Sequence, residues 1–217
     1  MQKIKVENII LYEDNDIIAL DKPSGLLSIQ DGYDPLKQNL RAFLEQRFNK
    51  IWVVHRLDKD TSGVIVFAKN ASTHKNLNLQ FFNRSVRKIY FAISFGNPLW
   101  KKKIIDYPLK KDGDRRHRTV IDLINGKKAT TIVNVKANRT ERCLLEVEIK
   151  TGITHQIRSH LAAIGLPIIG DSLYRYYCPI GKPILDNKLI LNASSIEFMH
   201  PTLNHKILID SKQKVHL

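Results

Sequence analysis

Cysteine is nearly absent from this chain of 217 residues: only Cys143 and Cys178 occur, far apart and in no C-x-x-C pairing. That usage argues for a reducing compartment rather than a disulfide framework or a cysteine-based zinc site. Long apolar runs are missing too. No stretch approaches the ~20 residues of a membrane span, and the start, Met1-Gln2-Lys3-Ile4-Lys5-Val6-Glu7, lacks the apolar segment of a secretory signal. A soluble cytoplasmic protein is the expectation. The phosphate-cradling patterns G-x-x-x-x-G-K-[ST] and G-x-G-x-x-G do not occur, so no nucleotide cofactor is expected. His155 and His160 stand five apart with no Glu between them, which fails the H-E-x-x-H arrangement, and no metal is expected. Ser62, in T-S-G, lacks the surroundings of a hydrolase nucleophile.

Negative charge is also scarce. Thirty-five Lys and Arg stand against 21 Asp and Glu, a formal charge of +14. A globular chain this basic is suited to a polyanion, because each neutralised phosphate releases condensed counterions. No long helix with one basic and one apolar face is evident, so nucleic acid is a better partner than a membrane surface. The 43% hydrophobic fraction is enough for a core.

No repeat, low-complexity tract or linker divides the chain, and a single domain over residues 1–217 is expected. Ile17–Leu20 reads as a short strand stopped by Asp21-Lys22-Pro23-Ser24-Gly25. Asp34-Pro35 signals a helix start, and Leu36, Leu40, Phe43, Leu44 and Phe48 recur at helical spacing, which predicts a helix over 34–48. Val64–Ala68 reads as a strand, Ser72 as the cap of a second helix, and Ile89–Phe95 as a buried strand. Thr119–Ile124 and Thr130–Val135 read as a hairpin around Asn125-Gly126. Leu145, Val147 and Ile149 alternate with polar residues as in a half-exposed strand. His155–Ile164 predicts a helix, with strands over Leu189–Leu191 and Lys206–Ile209. Many strands and few helices argue for an α+β fold with a largely antiparallel sheet.

The chemistry concentrates in His55-Arg56-Leu57-Asp58-Lys59-Asp60-Thr61-Ser62-Gly63. Asp60-Thr61-Ser62-Gly63 suits a turn, since Asp and Ser bond nearby backbone and Gly takes unusual dihedrals. Asp58, beside Arg56 and in a basic chain, is either a salt-bridge partner or an ionised carboxylate able to act at a sugar carbon. Gly152-Ile153-Thr154-His155-Gln156-Ile157-Arg158 packs turn, donor and cation residues at a strand–helix junction, a natural polyanion site. Tyr90, after Arg87 and Lys88, is either a packed strand aromatic or a face for a base to stack on.

H-R-L-D-K-D-T-S-G resembles the H-R-L-D-x-x-T-S-G motif of the RluA-type pseudouridine synthases, and four further segments resemble that family in order. These are Asp21-Lys22-Pro23-Ser24-Gly25-Leu26, Arg87-Lys88-Ile89-Tyr90-Phe91-Ala92, Gly152–Leu161 with Gly165–Tyr174, and Met199-His200-Pro201. The resemblance covers roughly residues 10–205. It implies the pseudouridine synthase fold, a mixed, mainly antiparallel central sheet with flanking helices and a central cleft. It implies an RNA uridine isomerase acting on tRNA or rRNA, with no cofactor or metal; because the first expected strand lies close to the start of the sequence, the separate S4 RNA-binding domain of many relatives is not expected here.

Residue by residue, the resemblance makes Asp58 the catalytic aspartate and Arg158 the basic residue paired with it. Tyr90 becomes the aromatic under the target base, and Arg56 the side chain that replaces the flipped nucleotide. His55, His155, Gln156, Arg115, Arg116 and Arg118 are expected to contact RNA, with Lys101-Lys102-Lys103 as a further grip. A monomer is expected. The chain departs from the family pattern at Ile153, where Arg is usual, and at Asn192, where His is frequent. Two rivals fit the same charge: a non-catalytic RNA-binding or ribosome-assembly protein on this scaffold, and a base-releasing glycosylase, for which Asp60 is the only nearby second carboxylate.

Overall fold

The computed structural model describes residues 5–32, 34–174 and 188–217, so Cys178 lies outside the described residues. The chain packs as two compact units, Met1–Arg87 with Ala193–Lys214 and Lys88–Asn192 with Val215–Leu217.

The first unit follows from a run of residues that favour strands. Strands β1 (Ile10–Glu13) and β2 (Ile17–Lys22) pair antiparallel, and every residue of β2 is buried. Helix α1 spans Leu40–Phe48, followed by β3 (Trp52–Val53), β4 (Ser62–Ala68) and helix α2 (Ala71–Phe82). The strand order is β1-β2-β4-β11, where β11 is Leu191–Met199; β3 pairs with β4, and β12 (Lys206–Asp210) pairs with β11. Ile17, Ala19, Val64, Val66, Leu77, Ile196 and Phe198 form its core. Gly63, at φ +105°, lies so close to β11 that a Cβ there would meet the Ala193 carbonyl oxygen at 2.2 Å. The glycine that closes the T-S-G turn is therefore required twice, by its dihedral and by this contact.

Two boundaries differ from the sequence expectation. The first helix begins at Leu40, not at Asp34. Asn39 caps it, its Oδ1 accepting from the Ala42 amide at 3.0 Å, and the Leu40 and Arg41 amides donate to the carbonyls of Leu27 and Ser28. Asp34 instead folds its own turn, accepting from the amides of Leu36 and Lys37, and Leu36 is left 94% exposed. The second helix is capped by Asn70, which accepts from the Thr73 amide, two residues before the expected Ser72.

The second unit carries β5 (Arg87–Phe95) from Lys88 onward, β6 (Lys102–Ile105), β7 (Leu109–Lys110), β8 (Val120–Ile121), β9 (Thr131–Arg139), β10 (Arg142–Ile149) and helix α3 (Gln156–Ala163). Its main sheet runs β5-β10-β9-β6, all antiparallel. The alternation in β10 is as expected, with Leu145, Val147 and Ile149 buried. The hairpin around Asn125-Gly126 is not. β8 pairs with β7 rather than with the strand after the turn, and Lys127 beyond the turn exchanges backbone hydrogen bonds with Leu109. The strand expected at Leu189–Leu191 begins at Leu191 and runs to Met199. The α+β class stands.

Candidate active site

Residues 55–61 form an irregular segment leading into β4. Leu57 is buried, while Arg56 on one side is exposed and Asp58 on the other is half-buried. What holds this segment is the Asp21–Ser28 stretch. Ser28 Oγ donates to the Leu57 carbonyl at 2.8 Å and accepts from the Leu57 amide at 3.1 Å. The Gly25 amide and Lys22 Nζ both donate to the Lys59 carbonyl, at 2.9 and 2.8 Å, and Ser24 Oγ donates to the Asp60 carbonyl at 2.8 Å. The Thr61 amide closes the turn on the Asp58 carbonyl at 3.2 Å. The backbone on both sides of Asp58 is thus fixed by four side-chain and main-chain donors from one earlier motif. That arrangement fixes the backbone from which the Asp58 carboxylate projects.

Lys22 has no exposed surface, and its ammonium also donates to the Pro23 and Leu26 carbonyls, at 3.1 and 2.7 Å. Burial pushes its pKa down to about 7, against the pull of Asp60 and Asp58. In the unfolded chain this lysine keeps its ordinary value of 10.5. Between about 7 and that value the unfolded chain binds more protons, so this group makes stability rise with pH across the window. Below pH 7 the full cost of the buried charge is present. Urea unfolding at pH 6.5 and pH 9 should show the rise, and Lys22→Met should flatten it; an unchanged slope in the variant contradicts the assignment.

His55 is turned inward. Its Nε2 accepts from the Val66 amide at 3.0 Å, which places the proton on Nδ1, and its ring stacks on Phe81 with centroids 5.0 Å apart. The Met199-His200-Pro201 segment has a similar task. His200 Nδ1 accepts from the Leu203 amide, so Nε2 carries the proton and donates to Asp14 Oδ2 at 2.7 Å. Thr202, Asn70 and Thr73 donate to Asp16, whose carboxyl is held below its usual range by those hydrogen bonds, Thr202 foremost. Asp14, Asp16 and His200 bring three potential ligand atoms together. Each already accepts or carries a proton, so the cluster is built as a knot between the β1–β2 turn and the end of β11 rather than as a cation cage.

In the second unit, Tyr90 lies on β5 opposite Val147 and is 8% exposed. Lys88, two residues earlier and therefore on the same face of the strand, has its pKa lowered to about 8 by burial. Arg158 is buried on α3. Its Nε and Nη2 fork onto Asp171 at 2.7 and 2.8 Å, and its guanidinium lies over the Tyr174 ring, 5.3 Å from the centroid. Asp171 also accepts from the amides of Leu173 and Tyr174. Asp171 and Tyr174 of G-D-S-L-Y thus fix the arginine of T-H-Q-I-R in place.

Gln156 is spent inside the fold, accepting from Thr151 and the Ile153 amide and donating to the Thr130 carbonyl and Thr131 Oγ1. His160 bridges Thr131 and the Tyr107 carbonyl. His155 precedes α3 in the left-handed region, with Nδ1 3.3 Å from the Tyr174 hydroxyl. Of the three arginines in the 115–118 loop, Arg118 is tied to Asp114 and the Leu173 carbonyl, whereas Arg115 and Arg116 are exposed. The roles of Lys22, Ser24, Ser28, Asp171 and His160 escaped the sequence reading. Lys22, Ser24, Asp171 and His160 are marked only by lying in the family-like motifs, and Ser28 by nothing in the sequence.

A family model described as RNA pseudouridylate synthase matches residues 16–163. The ribosomal large subunit pseudouridine synthase C of Buchnera aphidicola is 37% identical over 214 residues; the alignment covers 93% of this chain but only 66% of that protein. The dual-specificity RNA pseudouridine synthase RluA of Escherichia coli is 33% identical over 202 residues, covering 92% of this chain and 90% of that one. The solved structure of human RNA pseudouridylate synthase domain containing 4 shares the fold, with a TM-score of 0.77 at 24% identity over 96% of this chain and 90% of that one. The chain belongs to the RNA pseudouridylate synthase family, of RluA type. The reaction class of that family is isomerisation of uridine in RNA.

Proposed function

We propose that this chain isomerises uridine to pseudouridine in structured RNA, tRNA or rRNA, with residues 1–217 working as one catalytic domain, as a monomer in the cytoplasm. In that reaction the N1–C1′ bond breaks, the uracil rotates, C5 bonds to C1′, and the C5 proton is lost while N1 ends protonated. Asp58 is the catalytic carboxylate and Arg158 its basic partner. Tyr90 supports the uracil, and Arg56 occupies the space left in the stem. Flipping the nucleotide costs a few kcal/mol, which stacking and the phosphate contacts of Arg115, Arg116 and Lys101–Lys103 offset. The observation that carries this reading is the clamp around Asp58: Lys22, Ser24, Gly25 and Ser28 all converge on the carbonyls and amide beside one half-buried acid. A binding protein has no use for such precision at a carboxylate.

The test is incubation of the wild type and Asp58→Ala with total RNA from a strain lacking the gene, followed by site-resolved pseudouridine mapping. New pseudouridine with the wild type alone is expected. Abasic sites would indicate a glycosylase instead, and bound but unmodified RNA a scaffold protein.

A further inference from the structure

Residues 106–130 form a small lobe of the second unit, built on β7 and β8 and joined to α3 through the His160–Tyr107 hydrogen bond. Lys and Arg outnumber Asp in it, and Asp112, Asp114 and Asp122 each sit against a cation of the lobe itself. At its tip the chain turns sharply. Asp122 Oδ1 accepts from the amides of Ile124 and Asn125 at 3.0 and 2.8 Å, and the Gly126 amide donates to the Asp122 carbonyl at 2.9 Å. Gly126 is pressed against Pro108, where a Cβ would meet the Pro108 carbonyl carbon at 2.7 Å. The turn is therefore rigid. Yet the two side chains it presents are apolar: Leu123 is 75% exposed and Ile124 90%. Lys127 and Lys128, both exposed, follow directly.

We propose that the Leu123–Ile124 tip is a contact for an unpaired, unstacked base of the RNA, seated there while the surrounding lysines and arginines hold the flanking phosphates. This rests on the reading that RNA is the partner. The charge around the tip selects a polyanion, and within RNA only a looped-out or bulged base offers an apolar face to a rigid apolar pair. A perfect stem presents phosphates and groove edges, which reward the lysines but not Leu123 or Ile124. The tip thus selects the local structure of the substrate, separately from the target uridine.

The two contributions separate by salt. Binding to an RNA hairpin closed by a non-nucleotide linker and carrying a one-nucleotide bulge, and to the same hairpin without the bulge so that every base is paired, is measured over a range of salt. The Leu123→Ser/Ile124→Ser variant should bind the bulged RNA about tenfold more weakly, the size of one lost base contact, with an unchanged salt slope and unchanged affinity for the paired hairpin. Lys127→Gln/Lys128→Gln should reduce the slope on both RNAs. Leu123→Phe/Ile124→Phe should bind the bulged RNA at least as well as the wild type. Equal affinity of the serine variant and wild type for the bulged hairpin, or equal losses on both hairpins, overturns the proposal. Because affinity is the readout, such a failure leaves pseudouridine formation untouched. An inactive wild type that still showed the bulge preference would instead overturn the proposed reaction alone.

Discussion

Asp171→Ala is expected to lower the stability of the fold by about 3–5 kcal/mol, the cost of removing one partner of a buried ion pair. Arg158 and Asp171 are almost fully enclosed, and the carboxylate takes both a two-point fork and two backbone amides. Removing it takes one acceptor from each of those donors. Urea unfolding measures the loss. Apolar residues of similar volume often replace buried ion pairs without penalty. Arg158→Met/Asp171→Leu should therefore regain much of the stability while remaining inactive. That split separates the orienting task of Asp171 from simple packing.

Asp58→Asn is expected to keep the fold and the affinity for RNA and to lose pseudouridine formation by about 10⁴-fold or more, the scale on which an essential reacting group is lost. The reason lies in the clamp. The hydrogen bonds from Lys22, Ser24, Gly25 and Ser28 hold the backbone of residues 57–60, and the isosteric amide leaves that backbone clamp in place. Filter binding and nucleoside chromatography of the same samples check the two halves of the expectation. A variant that lost binding and product together would point to a structural carboxylate.

The contrast between what the sequence revealed and what it concealed follows the range of the forces involved. Strands such as β10 and β4 were legible because alternation and β-branched runs act within a few residues. Helix α1 was misplaced because Asp34-Pro35 and Asn39 both resemble caps. The choice between them was made by the Leu27 and Ser28 carbonyls, which accept the first-turn amides at Leu40 and Arg41. The Asn125-Gly126 turn was legible, its strand partners were not, because Leu109 takes hydrogen bonds from beyond the turn. Asp58 and Arg158 stood out through their motifs. What supports them did not: Lys22 reaches a carbonyl 37 positions away, and Arg158 an acid 13 positions on. His55 and Gln156 look like surface donors in sequence, yet both are spent on their own backbone neighbours.

The central claim is that Asp58, held by the Asp21–Ser28 segment, carries out the isomerisation. It is tested most directly by single-turnover release of tritium from RNA labelled at uracil C5, with enzyme in excess. Forming the C5–C1′ bond expels that hydrogen, so wild type should release tritium in step with pseudouridine, and Asp58→Asn should bind the same RNA and release none. Release by Asp58→Asn at the wild-type rate would contradict the account.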